Sequence, residues 1–131
     1  MTVFIDTSAL LALLDAGDDN HAAAVTAWQG LAAQATLLVT TNYVLVETMA
    51  VAQRRLGLEA IRALVGEVIP VLDVVFVDET IHAAAIGALL AAGRRQLSLV
   101  DCASFEVMRR RRVASAFAYD QHFTDQGFDA V

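Results

Sequence analysis

Four carboxylates far apart in the chain stand where a solvated acid is out of place: Asp6, Glu47, Asp101 and Asp120. Asp6 ends the apolar run Val3-Phe4-Ile5. Glu47 is set between Tyr43-Val44-Leu45-Val46 and Met49-Ala50-Val51, while Asp101 follows Leu99-Val100 and Asp120 follows Phe117-Ala118-Tyr119. Taking an uncompensated carboxylate out of water costs on the order of several kcal/mol. Acids in such settings are paired with cations or gathered around a metal. The chain has no lysine, and its nine arginines lie away from these four positions in sequence. The residue types therefore point to a divalent ion held by oxygen ligands, the kind that Mg²⁺ or Mn²⁺ prefers.

Each acid also has a purely structural reading. Asp is a common helix N-cap, and Asp6 could serve as one, although Thr7 and Ser8 offer the same service beside it. Ser98-Leu99-Val100-Asp101 fits the capping-box pattern. Asp120, ahead of Gln121 and His122, could be a turn residue, with Asp125 as an alternative fourth acid. Glu47 is the hardest to assign a structural role, because its helical neighbours Tyr43, Val44, Ala50 and Val51 provide no cation. Asp18, Asp19, Glu59, Glu67, Asp78 and Glu79 fall in turns or at helix starts and read as solvated.

The elements that must position these acids alternate between strand and helix. Thr2 to Ile5 reads as a buried strand, followed by a helix over Ala9 to Leu14 capped by Thr7 or Ser8. After the turn Gly17 to Asn20, a helix runs from about His21 to Ala33 with Trp28 and Leu31 on its apolar side. A second strand over Thr36 to Thr40 leads to a helix capped by Thr41 or Asn42 and stopped at Gly57. A further helix begins at Leu58 and ends before Pro70. Val71 to Val77 reads as the third strand, and Asp78 caps a helix over Glu79 to Leu90 that ends by Gly93. Ser98 opens the last long helix, which closes in Arg109 to Arg112; Val113 to Ala118 and Phe128 to Val131 read as strands four and five. Alternation with short connections implies a parallel sheet with helices on both faces, one domain over residues 1–131. Ligands of such sheets bind outside the carboxyl ends of the strands. Asp6 and Asp120 follow strands directly, and Glu47 and Asp101 sit in the first two turns of helices, so all four can face that edge.

Composition narrows the function classes. A hydrophobic content of 57% exceeds the needs of one small core, so an apolar surface patch and self-association are expected. Acids, Gly or Gln break every apolar run well short of the roughly 18 residues of a membrane span. No basic segment precedes the first apolar run, so no signal peptide is expected, and with the lone Cys102 the chain reads as cytoplasmic. A net charge of −6 argues against nucleic-acid binding by bulk electrostatics, but not against a phosphodiester held by metal ions and a few arginines. Arg94, Arg95 and the run Arg109 to Arg112 are the candidate phosphate contacts. Cations in a last helical turn also complement the helix dipole.

On these residues the chain resembles the PIN-domain ribonucleases, and within them the toxins of bacterial VapBC toxin–antitoxin pairs. The resemblance runs through Val3-Phe4-Ile5-Asp6-Thr7-Ser8, Asn20-His21, Thr41-Asn42 leading to Glu47, Leu97-Ser98-Leu99-Val100-Asp101, and Ala118-Tyr119-Asp120-Gln121-His122-Phe123 with Gly127. It implies a PIN-like α/β fold with a parallel sheet of about five strands. It also implies a site in which Asp6, Glu47, Asp101 and Asp120 surround one or two Mg²⁺ or Mn²⁺ ions, with a hydroxyl from Thr7 or Ser8 nearby and His21 as a structural residue. Asn42, where serine is frequent, and Cys102, where alanine is frequent, depart from the pattern without removing a ligand.

The activity so implied is metal-dependent hydrolysis of RNA, leaving a 5′-phosphate and a 3′-hydroxyl, by a homodimer that also binds a small antitoxin. An inserted arginine or lysine of that antitoxin could neutralise the acids. A metal-free reaction would need two histidines as acid and base, with His21 and His122 the available pair and His82 a core or surface residue. Phosphoacceptor and aspartyl phosphohydrolase chemistry want a lysine for the phosphoryl group, and there is none. The remaining alternative is a PIN-like module that binds RNA or protein without cutting.

Overall fold

The computed structural model describes all residues, 1–131. Five short strands, β1 (Thr2–Ile5), β2 (Leu37–Thr41), β3 (Asp73–Val75), β4 (Ser115–Phe117) and β5 (Asp129–Ala130), form one sheet in the order β3-β2-β1-β4-β5. Every pairing is parallel. The helices are α1 (Thr7–Leu14), α2 (His21–Ala33), α3 (Asn42–Leu56), α4 (Leu58–Ala63), α5 (Glu79–Ala92), α6 (Leu99–Arg111) and α7 (His122–Asp125). Successive side chains of a strand point to opposite faces. Val3, Phe4 and Ile5 are nonetheless all fully buried, so helices cover both faces of the central strand. The core continues through Leu10, Val39, Val44, Val107, Met108, Phe117 and Phe123.

The strand order has a consequence for function. From β1 the chain moves outward to β2 and β3, then returns to the other side of β1 as β4. The connections leaving β1 and β4 diverge, which makes the gap between their carboxyl ends the switch point where open α/β sheets bind ligands. Asp6 follows β1, and its backbone N–H donates to the Phe117 carbonyl at the end of β4 (3.1 Å). That bond extends the ladder by one residue and sets Asp6 beside the segment that carries Asp120.

Several boundaries differ from those read in the sequence, each for a local reason. Helix α1 starts at Thr7 rather than Ala9 because Asp6 itself is the N-cap, its carboxylate accepting the Ser8 N–H. Strand β2 sits one residue later than expected, and Thr41 then caps α3 by accepting the Val44 N–H. Asn42 is free to accept the Val77 N–H instead (2.7 Å), which pins the chain leaving β3. The helix from Leu58 loses regular α geometry after Ala63, widening into a π turn over Leu64–Val68 and then tightening into a 3₁₀ turn, Ile69–Val71. Pro70 fits the first turn of that 3₁₀ segment, where no N–H is needed. The turn takes up Val71, so β3 is only three residues long. Strand β4 is likewise shorter than Val113 to Ala118, α5 runs on to Ala92, and the short α7 was not anticipated.

Phe123 of α7 explains why that helix exists. Its ring lies among Phe4, Phe105 and Phe128 at centroid distances of 6.1, 5.0 and 6.5 Å. The cluster clamps the segment after Asp120 onto α6 and β1. Phe123→Ala is expected to cost roughly 3–5 kcal/mol of stability, as for other buried aromatic truncations, read as a lowered urea midpoint.

Candidate metal centre and active site

Asp6, Asp101 and Asp120 converge at the switch point, each offering a carboxylate oxygen such that all three lie within 4.8 Å of one another. Asp6 is 3% exposed and Asp101 8% exposed, and no arginine pairs with either. Glu47 lies outside this triplet, on the second turn of α3. It is near enough for Asp101 and Asp120 to act on its ionisation. Asp125 is exposed at the end of α7, away from the group, so Asp120 is the acid that joins it.

Local hydrogen bonds hold the acids in place. Ser8 donates both its N–H (3.1 Å) and its hydroxyl (2.7 Å) to Asp6 Oδ2. The same hydroxyl accepts the Tyr119 N–H at 2.9 Å, so Ser8 ties the exit of β4 to the acid after β1. Asp101 Oδ2 accepts the Ser98 N–H (3.1 Å) while Ser98 Oγ accepts the Asp101 N–H (3.0 Å), a complete capping box. Asp120 Oδ1 accepts the His122 N–H at 3.1 Å. Thr7 has one proton to give and two acceptors within reach, the Val44 carbonyl at 3.3 Å and the Glu47 carboxylate. Thr48 donates to the Thr7 hydroxyl (3.2 Å), joining α1 to α3 beneath Glu47. The structural readings of Asp6 and Asp101 thus hold together with their convergence. Thr48 and Ser98 join the site in the structure; the sequence signal for Thr48 is a hydroxyl residue adjoining Glu47 in an apolar stretch, and the fold buries it fully.

The electrostatics follow from burial without a cation. Desolvation pushes the Asp6 carboxyl up to about 7, opposed by the Ser8 hydroxyl and reinforced by Asp120 and Asp101. Burial likewise raises Glu47 and Asp101. The Ser98 hydrogen bonds and the neighbouring His122 pull Asp101 back down, and Asp120 pushes it up. An all-carboxylate donor set with no internal countercharge, in which burial raises Asp6, Glu47 and Asp101, fits a hard divalent cation with oxygen ligands and contains no thiol for a softer metal. Cys102 is turned into the core.

The other candidates separate. Arg94 and Arg95 are exposed in the loop before α6, at the same end as Asp101. Arg109 sits eight residues further along α6, about 12 Å at about 1.5 Å per residue. There it stacks on Phe105 and Phe128 (5.9 and 5.5 Å to the ring centroids) and donates to Gln126. Arg110 is paired with Glu106 and Arg111 with Asp73. His21 is a structural residue: its ring Nδ1 meets the Ala12 carbonyl at 2.7 Å and joins α2 to α1. His82 is engaged with the Tyr43 hydroxyl.

The chain matches the PIN domain family over residues 3–129, and it belongs to that family. Among its relatives is the 23S rRNA-specific endonuclease VapC20 of Mycobacterium tuberculosis, 35% identical over 130 residues that cover 98% of this chain and 97% of the relative. The crystal structure of VapC20, described as a sarcin-ricin loop cleaving toxin, superposes with a TM-score of 0.86 at 34% identity, covering 96% of this chain and 95% of that one. VapBC2 from Rickettsia felis, bound to a DNA fragment from their promoter, shares the fold alone: TM-score 0.71, 10% identity, 100% and 98% coverage. The same holds for FitAcB from Neisseria gonorrhoeae, with a TM-score of 0.68, 14% identity, and 99% and 96% coverage.

The raised acids make stability depend on pH when metal is withheld. A carboxyl whose folded pKa of about 7 exceeds its unfolded value of 3.8 contributes stability that is complete below the unfolded value and lost as pH rises through the folded one. In EDTA the protein should therefore melt at a higher temperature at pH 5 than at pH 8. Asp101→Asn, which removes a repelling charge yet keeps an acceptor for Ser98, should melt above wild type at pH 8. Asp101→Ala also loses the acceptor for the Ser98 N–H, the N3 half of the capping box, and should melt below Asp101→Asn. Melting curves of the three proteins that show no dependence on pH between 5 and 8 would contradict the account.

Proposed function

We propose that the chain, as a single PIN-like domain over residues 1–131, is the toxin of a type II toxin–antitoxin pair. It acts in the cytoplasm as an Mg²⁺- or Mn²⁺-dependent endoribonuclease. The observation that carries this reading is the convergence of Asp6, Asp101 and Asp120 at the switch point of a PIN-family sheet, without a cation of the chain's own. The relationship to VapC20 makes ribosomal RNA the first substrate class to test. A PIN-like module that only binds would have no use for three carboxylates held against their mutual repulsion.

Asp6, Asp101 and Asp120 would hold the ion, and Glu47 would complete the site from α3. Bound there, the ion supplies activation of a water and neutralisation of the charge that builds on the phosphodiester. The chain's own part is to fix the acids in advance. Ser8, Ser98 and the backbone at Tyr119 and His122 hold the carboxylates on the termini of rigid elements, so little reorganisation accompanies binding. Glu47, raised by burial and by Asp101 and Asp120, is suited to accept a proton from the attacking water. Arg94 and Arg95, at the same end of α6, would contact phosphates flanking the cut. Asp6→Asn, Glu47→Gln and Asp101→Asn should each abolish Mg²⁺-dependent cleavage with the fold retained by circular dichroism, and Asp120→Asn should be milder. Products should carry a 5′-phosphate and a 3′-hydroxyl. Cleavage that survives EDTA, or that persists in all three variants, would refute the reading.

The partners follow from surface chemistry. Val46 on α3 (67% exposed) lines a groove of about 380 Å³ with Ala50, Leu99 and Val100, and Glu47 borders the same groove. A second copy of the chain is the occupant we assign to this face, and a small antitoxin with a basic side chain is the natural counterpart of the acid pocket. Light scattering at micromolar concentration should give the mass of a dimer, and Val46→Glu should shift it to that of a monomer.

A further inference from the structure

Four of the nine arginines, Arg109 to Arg112, close α6 and its cap in a protein of net charge −6. Beside them, outside the acid site, lies a pocket of about 410 Å³ whose apolar wall is Phe76, Ile81 and Val107 and whose rim carries Arg110 and Arg111. Phe76 is 72% exposed. It does not hang on a loose loop, because the next residue, Val77, donates its N–H to Asn42. An aromatic ring on a pinned stretch of backbone thus stands in solvent next to two guanidinium groups. Both arginines are held by partly exposed acids, Arg110 by Glu106 at 2.7 Å and Arg111 by Asp73 at 3.4 Å. Surface pairs of this kind are weak and can be exchanged for phosphates. Asp78, the one acid in the pocket, is already occupied in capping α5.

An exposed ring flanked by guanidinium groups matches single-stranded RNA: the ring stacks on a base without regard to sequence, and the cations follow the backbone. Arginine suits the task, since its planar fork addresses phosphate and stacks as well. We propose that Phe76, Arg110 and Arg111 form a second RNA contact, with an unpaired base stacked on Phe76 and flanking phosphates held by the two arginines. Along the axis of α6, Arg110 and Arg111 lie about 14 Å from Asp101, at about 1.5 Å per residue. The assignment of RNA as the ligand rests on the nuclease reading. The contact itself requires no cleavage.

The test measures affinity of the full chain for a fluorescently labelled single-stranded RNA in EDTA by anisotropy. Phe76→Ala should weaken binding by roughly tenfold, since stacking on an aromatic side chain is worth about 1–3 kcal/mol per base, and Phe76→Tyr should keep it. The pair Arg110→Gln and Arg111→Gln should weaken binding and flatten the salt dependence by about 1.4 in log–log slope, two phosphate contacts at about 0.7 each. Unchanged melting temperatures show that the variants fold. Wild-type affinity in Phe76→Ala overturns the proposal, as does no binding by the wild type. So does a Phe76→Ala protein that binds RNA normally but loses self-association or antitoxin binding, since the surface then serves a protein contact. Cleavage is absent from the assay, so loss of Mg²⁺-dependent hydrolysis would count against the acid-site reading alone.

Discussion

Like charges brought together out of water, with no countercharge of the chain's own, are the constraint on which this structure turns. Two unit charges about 4 Å apart interact by about 4 kcal/mol at an effective dielectric of about 20, a large share of the roughly 5–15 kcal/mol that holds a domain folded. A chain can relieve such a cluster with a proton, a basic side chain or a metal ion. No basic side chain pairs with these acids. The proton is the relief at hand in the free protein: burial first, with the charges of Asp120 and Asp101 adding to it, raises the Asp6 carboxyl to about 7. A divalent ion is the relief that also does chemistry. On the proposed function, the same repulsion that burdens the free protein would become affinity for the ion, and equally for a partner's cationic side chain.

What makes the cluster tolerable is that each acid is placed where backbone N–H groups need an acceptor. Asp6 caps α1, Asp101 completes the capping box of α6, and Asp120 accepts the N–H of His122. Unsatisfied N–H groups and the partial positive charge of a helix start favour a carboxylate there. Structural and functional roles are therefore not rivals at these positions. A helix start at the carboxyl edge of a parallel sheet is a place where a negative charge can be kept without a salt bridge. The π turn over Leu64–Val68 and the 3₁₀ turn after it lie far from this edge in the chain's path, before β3, and bear only on how that edge strand is entered.

The acids could be recognised in the sequence because each borders an apolar run and no lysine existed to compensate it, although only Asp6 and Asp101 are buried while Glu47 and Asp120 are half-buried. Strand and helix alternation was equally visible, since buried parallel strands are short β-branched runs. The strand order could not be read in this way, because it depends on which hydrophobic faces meet after the chain has turned back. The capping of α1 could be narrowed to Asp6, Thr7 or Ser8 but not settled among them, because all three residue types can cap. In the fold Asp6 caps and the Ser8 hydroxyl donates to it while accepting the Tyr119 N–H. Short α7 carried no periodic pattern, being four residues whose only buried member is Phe123. Convergence of Asp120 with Asp6 and Asp101 hangs on that helix, so its weight in the sequence reading was necessarily less than its weight in the fold.

An acidic protein that acts on a polyanion has to solve attraction locally. With a net charge of −6, long-range steering toward RNA is unfavourable, and ions in solution screen what little the arginines offer beyond about 10 Å. Affinity must then come from short-range terms. On the proposed function, one would be metal charge placed against the phosphodiester; the others would be guanidinium groups at the two ends of α6, and stacking on an aromatic ring, which needs no charge. Short-range terms depend on fit, and bulk electrostatic attraction does not. A nuclease built this way is poorly equipped to hold RNA at random and well equipped to hold one shape of it, so its acidity is consistent with selectivity and not an obstacle to the chemistry.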